Sequence, residues 1–262
     1  MIPIVALCAE AGAGKDSFGK YIADHYNGVC IGQADVLKWM AREWFKFTEE
    51  QLFGPSEKRN EVDLRFADER VLSEVGYRVQ QTGPNWCEKL FPQKADEAWR
   101  RLQHWFNHVV TRAAADKGLS ARYVLQTLGT EWGRSLDKMV WTRYAADTAV
   151  ALLGGGLEYH RQYGIQEAKT EGPSLVLCCD GRFRNEALQF RAAGGWAIRL
   201  VRGGAGAAAQ AAGVAGHRSE TELAGIPAHF FDFVVKNNGT LEQLFQKADF
   251  VAQAILKAGR DL

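Results

Sequence analysis

No stretch of the 262-residue chain stays apolar for the roughly 20 residues that a membrane-spanning helix needs. The apolar run from Ile2 to Ala9 has no basic segment before it and meets Glu10, so it reads neither as an anchor nor as an export signal, and a cytoplasmic location is expected. Charge of one sign is also lacking. Lys and Arg total 32 against 31 Asp and Glu, a net +1 that provides no global field for DNA or an acidic membrane. Any anion must therefore be captured locally. The five cysteines, Cys8, Cys30, Cys87, Cys178 and Cys179, form an odd set without CxxC spacing and read as reduced core thiols. The six histidines are not read as a ligand set, and zinc is not expected. With 47% hydrophobic and 24% charged residues the chain is an ordinary globular protein, which excludes disordered and collagen-like classes.

What is present is an alternation of apolar strands and helices. Met1 to Cys8 is a buried strand, Ala9 to Ser17 a Gly-rich turn, and the following stretch to about Tyr26 a helix. Ser174 to Asp180 is a second strand, with a helix from about Asn185 to Ala193, and Trp196 to Arg202 is a third. Phe231 to Lys236 is a fourth, closed by Asn237-Asn238-Gly239 and followed by Leu241, Leu244, Phe245, Ala248 and Val251 at helical spacing. Continuously apolar strands alternating with helices predict an α/β fold, a doubly wound parallel sheet with helices on both faces. Residues 34–153 change to long helices holding seven of the eight tryptophans, and read as a helical insertion within a single domain spanning 1–262. Gly154-Gly155-Gly156 and the Gly/Ala stretch from Gly203 to Gly216 read as mobile. With Arg202, His217 and Arg218 flanking it, the second stretch (203–218) is expected to form a lid.

The strongest chemical signal is Gly12-Ala13-Gly14-Lys15-Asp16-Ser17, placed between strand and helix. Phosphates need inward backbone N–H groups, a helix N-terminus and an ammonium, all of which this order supplies. Against the general P-loop pattern, Ala9 replaces the first Gly and the hydroxyl arrives one residue late, at Ser17. A tight turn with an exposed lysine is the alternative. Asp180, at a strand's carboxyl end, can hold Mg²⁺ together with Ser17, or can simply cap the next helix. Arg182, Arg184, Arg202, His217 and Arg218 supply cations suited to phosphoryl transfer, although any one of them could be a solvated surface charge. Trp132 and Trp141 flank Arg134 and could stack on a base. Trp39, Trp44, Trp99 and Trp105 lie at spacings that favour core packing.

Gly14-Lys15-Asp16-Ser17, Ala34-Asp35-Val36-Leu37-Lys38, Gln51 to Arg59, Leu125 to Arg134, Asp180 to Glu186 and Asn237 to Leu244 together resemble the bacteriophage-type deoxynucleoside monophosphate kinases of the P-loop kinase group. The segments correspond in order to the family's GKD[ST], ADPLK (here with Val36 for proline), QL-G--K-R and later motifs. The resemblance implies transfer of the γ-phosphoryl of ATP, with Mg²⁺, to a deoxynucleoside 5′-monophosphate. It implies nucleotide binding by Gly12, Ala13, Gly14, Lys15, Asp16, Ser17 and Arg202, and substrate binding by Asp35, Lys38, Arg134, Trp141, Asp180 and Arg182. Lys15, Arg182 and Arg134 would be the catalytic cations. Small-molecule partners, a host-cytoplasmic location if phage-encoded, and a homodimer also fit the resemblance. The rival reading is a kinase of the same fold acting on a modified base, such as a hydroxymethyl pyrimidine, in phage DNA. The balanced charge speaks against that polymer substrate.

Overall fold

The computed structural model describes residues 1–10, 12–115, 117–181, 184–203 and 225–260. The chain begins with β1 (Ile4–Ala9), α1 (Lys15–His25), β2 (Gly28–Ile31), α2 (Asp35–Phe45), α3 (Glu49–Phe53), α4 (Ser56–Asn60) and β3 (Val62–Asp63). Next come α5 (Glu69–Leu90), α6 (Ala95–His104), a π-helical stretch (Trp105–Val110), α7 (Thr111–Ala114), β4 (Leu119–Ser120) and α8 (Ala121–Thr127). A second π-helical stretch (Leu128–Arg134) leads to α9 (Val140–Leu153), β5 (Leu157–His160), β6 (Gly164–Glu167), β7 (Leu175–Gly181), α10 (Arg184–Ala192) and β8 (Trp196–Val201). The described chain closes with β9 (Phe233–Lys236) and α11 (Leu241–Arg260). It divides into two compact units, one of residues 1–33, 142–161 and 165–262, the other of residues 34–141 and 162–164.

The first unit is built on a five-stranded parallel sheet in the order β2-β7-β1-β8-β9. Alternate strand residues point to opposite faces, and both faces are covered, which is why the strands read as unbroken apolar runs. On one face Ile4, Ala6, Cys8, Val176 and Cys178 pack with Ala145, Ala146 and Ala149 of α9 and with Ala187 and Phe190 of α10. On the other, Val5, Leu7, Leu175 and Leu177 pack with Phe18 and Ile22 of α1 and with Leu244, Ala248 and Val251 of α11. Burying each large side chain contributes about 1.5–3 kcal/mol relative to leaving it exposed. The neighbouring strands β1 and β7 thus send the chain to helices on opposite faces, which opens a crevice at their carboxyl ends. This mixed α/β architecture is compatible with a P-loop kinase-like fold.

The short strands β2 to β6 are absent from the sequence reading, β1 starts at Ile4 rather than Met1, and β9 starts at Phe233 rather than Phe231. Phe231 instead closes a 3₁₀ turn, donating to the Ala228 carbonyl at 3.1 Å. Asp232 then bonds Ala197 in both directions at 2.8 Å, which sets the strand's register. Of the expected lid only Gly203 is described; residues 204–218 lie outside the described residues, as does Arg182.

The second unit is mainly helical, around Trp44, Phe45, Phe66, Trp105 and Trp132, all essentially inaccessible. A buried indole needs a partner for its N–H. Trp44 donates to Thr82 Oγ1 at 3.0 Å, Trp105 to Thr127 Oγ1 at 3.1 Å and Trp132 to the Ala98 carbonyl at 2.9 Å. Trp39 is buried as well and Trp99 half-buried, so these rings are packing elements. No described helix is long and apolar enough to cross a membrane.

Candidate functional site

The loop after β1 is shaped by two glycines in the left-handed region, Gly12 at φ 78° and Gly14 at φ 91°. At Gly14 a side chain is excluded on two counts, since that φ disfavours L residues and a Cβ would lie 2.5 Å from Asn237 Nδ2. Asn237, just beyond β9, donates from that amide to the carbonyl of Ala13 at 2.9 Å, while Ala13 N–H donates to the Glu10 carbonyl at 3.2 Å. α1 then starts at Lys15 without any side-chain cap, so its first-turn N–H groups remain available at the loop. This is a backbone cradle suited to phosphate oxygens. Lys15 Nζ lies 2.7 Å from Asp16 Oδ1, but the Asp16 side chain is 88% exposed. Such a pair is worth about 0–1 kcal/mol and leaves the ammonium available to a phosphate. Ser17, in the first turn of α1, is exposed.

Asp180 stands in the neighbouring strand, where β7 pairs Cys178 with Ala6 and Gly181 with Cys8 of β1. Two steps along β1 therefore match three along β7, a bulge that re-aims the side chains of Cys179 and Asp180 at the strand end. Asp180 Oδ1 accepts from Gln33 N–H at 3.1 Å and from the Cys178 thiol at 3.2 Å. Gln33 is itself buried and accepts at Oε1 from Thr142 at 2.6 Å. Burial, and after it the nearby Asp180 charge, hold the Cys178 thiol well above its ordinary value, so it stays protonated. The carboxylate is thereby oriented by donors at the carboxyl end of the sheet, where an oxygen-ligated Mg²⁺ is chemically suited to it. Arg202 is exposed just beyond β8.

The second unit holds a separate group of cations. Lys38 Nζ sits 2.8 Å from Asp35 Oδ1 on α2, with both side chains largely buried, and lies 4.5 Å from the centroid of the Phe53 ring. Arg59 on α4 and Arg122 on α8 were not singled out as site residues by the sequence. Arg122 Nη2 donates to Ser56 Oγ at 2.9 Å, yet the Nε atoms of both arginines are buried with no partner among the described residues. Burial, and then the positive charge of Arg122, lower the affinity of Arg59 for its proton. An unmade bond of this kind costs about 1–3 kcal/mol, which an anion accepting from both guanidiniums would recover. α4 is held beside a firmly pinned neighbour: Thr48 and Gln51 cap α3 reciprocally at 2.8 and 3.2 Å, and Gln51 Nε2 donates to Asp63 Oδ2 at 2.9 Å.

Arg134 ends the π-helical stretch and is exposed. Trp141 is buried, donates from Nε1 to the Gly129 carbonyl at 3.0 Å, and lies against Gly133. Its ring supports the π-helical segment that carries Arg134. Such segments are rare and frequent at functional sites. His104 and His108 stand four residues apart with ring centroids at 4.5 Å, an HxxxH spacing the sequence reading passed over. Among the described residues no set of three metal-ligating side chains forms.

The structure therefore brings Gly12, Ala13, Gly14, Lys15, Asp16, Ser17, Asp180 and Arg202 into the first unit, and Asp35, Lys38, Arg134 and Trp141 into the second. Gln33 is not singled out by the sequence, Asn237 enters only as a turn residue that also opens a resembling segment, and Arg59 only as part of a longer resembling segment.

No protein-family model matches the chain. Over 245 residues, 93% of this chain and 93% of the relative, it is 23% identical to a protein of Acanthamoeba polyphaga mimivirus named "Putative deoxynucleotide monophosphate kinase".

Proposed function

We propose that this chain is a nucleotide kinase that transfers the γ-phosphoryl of ATP to a deoxynucleoside 5′-monophosphate, giving ADP and the deoxynucleoside diphosphate. The observation that carries this reading is the parallel pairing of β1 with β7, by which the chain enters the glycine loop at the end of the sheet where Asp180 stands. The name of the mimivirus relative, to which the chain is similar over almost the full length of both, supports the same class.

The first unit takes the ATP phosphates. The loop backbone and the first turn of α1 accept the oxygens, and the Lys15 ammonium stabilises the charge that moves with the γ-phosphoryl. Mg²⁺ supplies neutralisation of the β- and γ-oxygens when bound, and Ser17 Oγ with the Asp180 carboxylate are the groups of this chain suited to hold it. The second unit takes the acceptor. Within it Lys38, Arg59 and Arg122 bind the monophosphate, Asp35 fixes Lys38, and Arg134 contributes further positive charge. Arg182, next but one after Asp180 in the sequence, is a further catalytic cation by the resemblance. A monophosphate has its second pKa near 6 and is largely dianionic at neutral pH. Its oxygen is already nucleophilic, so positioning and charge neutralisation replace a general base.

Labelled ATP offered to the protein with free deoxynucleoside monophosphates and with DNA containing modified pyrimidines tests the reading. Label in a free diphosphate is expected. Label on DNA with every free monophosphate inert would replace this reading with the DNA-kinase alternative.

A further inference from the structure

Four of the five cysteines lie on the central sheet, and they are sorted by face. Cys8 and Cys178 point into the core under α9 and α10. Cys30 of β2 and Cys179 of β7 point to the opposite face, under α1, with their sulfurs 3.2 Å apart. Their meeting has a cause in the register. Cys30 lies opposite Leu177 and Ile31 opposite Cys178, so Cys179 would be a diagonal neighbour in a regular ladder. The bulge in β7 after Cys178 turns its side chain toward Cys30. Gly19 of α1 leaves room for both sulfurs, because a Cβ there would lie 2.7 Å from Cys179 Sγ and 3.3 Å from Cys30 Sγ. Both cysteines are half-buried, whereas Cys8, Cys87 and Cys178 are buried.

We infer that Cys30 and Cys179 form a modification site for a two-electron oxidant of the peroxide class, closing a disulfide that staples β2 to β7 beneath α1. A disulfide needs sulfurs about 2.0 Å apart. The pair must close by little more than an ångström from its 3.2 Å separation. The Cys179 thiol donates toward Cys30 and holds the Cys30 thiol below its ordinary value, which favours Cys30 as the attacking sulfur.

In the first step the Cys30 thiolate attacks one peroxide oxygen, the O–O bond breaks, and hydroxide leaves to become water with the proton Cys30 gave up. In the second, Cys179 sulfur attacks the sulfur of the Cys30 sulfenic acid, the S–O bond breaks, and hydroxide leaves with the Cys179 proton as a second water. Two thiols are oxidised and one peroxide is reduced to two waters. The mechanical consequence follows from topology. β2 is an edge strand of the sheet, paired only with β7 among the described strands, and an edge strand opens more readily than a central one. The cross-link removes that freedom directly beneath the helix that begins with Lys15.

The test uses the full chain and does not depend on any kinase activity. Folded protein is treated with stoichiometric hydrogen peroxide, alkylated, digested without reductant and mapped. The expected product is a Cys30–Cys179 linked peptide that dithiothreitol reverses, with Cys8, Cys87 and Cys178 alkylated only after unfolding. In Cys179→Ser the Cys30 sulfenic acid should persist and be trapped by dimedone. Backbone hydrogen exchange in Gly28–Ile31 should slow at least about tenfold in the oxidised protein. Linkage of any other pair, or over-oxidation of either thiol without linkage, would overturn the site. Unchanged exchange in β2 after linkage would overturn the staple.

Discussion

The side-chain amide of Asn237, from the far edge of the parallel sheet, donates to the carbonyl of Ala13 at 2.9 Å and so fixes the loop that follows β1. The acceptor residue is buried, so the bond is not exchangeable with solvent at no cost. Asn237→Ala should lower stability by about 1–3 kcal/mol, the cost of a buried carbonyl left unmatched. It should also weaken binding of an ATP analogue, because the cradle loses its outer support. Chemical denaturation and analogue titration check the two effects, and an unchanged affinity would remove Asn237 from the site's support.

Lys15→Ala should lower kcat by about a hundredfold or more with the fold intact, the scale of a lost electrostatic contact to the transferring group. Circular dichroism confirms folding and initial rates give kcat. Near-normal turnover would separate the glycine loop from the chemistry.

Replacing Arg59 or Arg122 with glutamine should raise the KM for the deoxynucleoside monophosphate by about tenfold to a hundredfold, the worth of a charge-assisted bond. The KM for ATP should move little. Thermal stability should hold or increase, since each substitution removes one of two like charges with a buried unpartnered Nε. A general loss of stability with both KM values unchanged would make the pair a structural feature.

Asp180→Asn should raise the Mg²⁺ concentration required for half-maximal rate, as should Ser17→Ala. The backbone bond from Gln33 can still reach the amide oxygen, so the strand end is kept while the charge is lost. A Mg²⁺ dependence unaltered in both variants would reject these ligands.

The Arg65 guanidinium, through its hydrogen bond, holds the Asp63 carboxyl below the usual carboxylate range. A depressed folded-state value contributes stability above the unfolded value near 4 and loses it as pH falls through the folded value. Asp63→Asn should therefore flatten the acid limb of the stability profile while leaving its neutral plateau lower by under about 1 kcal/mol, since Arg65 is half exposed. Thermal midpoints across pH check this.

Much of this arrangement was legible because its signals are local. Ile4 to Ala9 and Leu175 to Cys179 are continuously apolar, as strands buried on both faces must be, and Gly12, Gly14 and Lys15 follow the first within one turn. What escaped depends on contacts far apart in the chain. β2 is only Gly28–Ile31, and its partner β7 comes after the whole of the second unit. Arg59 and Arg122 sit on different helices, and each alone has the pattern of a solvated charge. Trp141 flanks Arg134 in sequence, but its buried ring is spent on Gly129 and Gly133. The diagonal meeting of Cys30 and Cys179 depends on a bulge that no apolar pattern announces.

The most direct measurement is product stoichiometry. Purified protein is supplied with ATP, Mg²⁺ and each deoxynucleoside monophosphate in turn, and the nucleotides are separated and quantified. The account predicts that at least one monophosphate is converted to its diphosphate with one ADP formed per diphosphate, and that Lys15→Ala loses both together. ADP appearing with inorganic phosphate and no diphosphate from any of the monophosphates would contradict it.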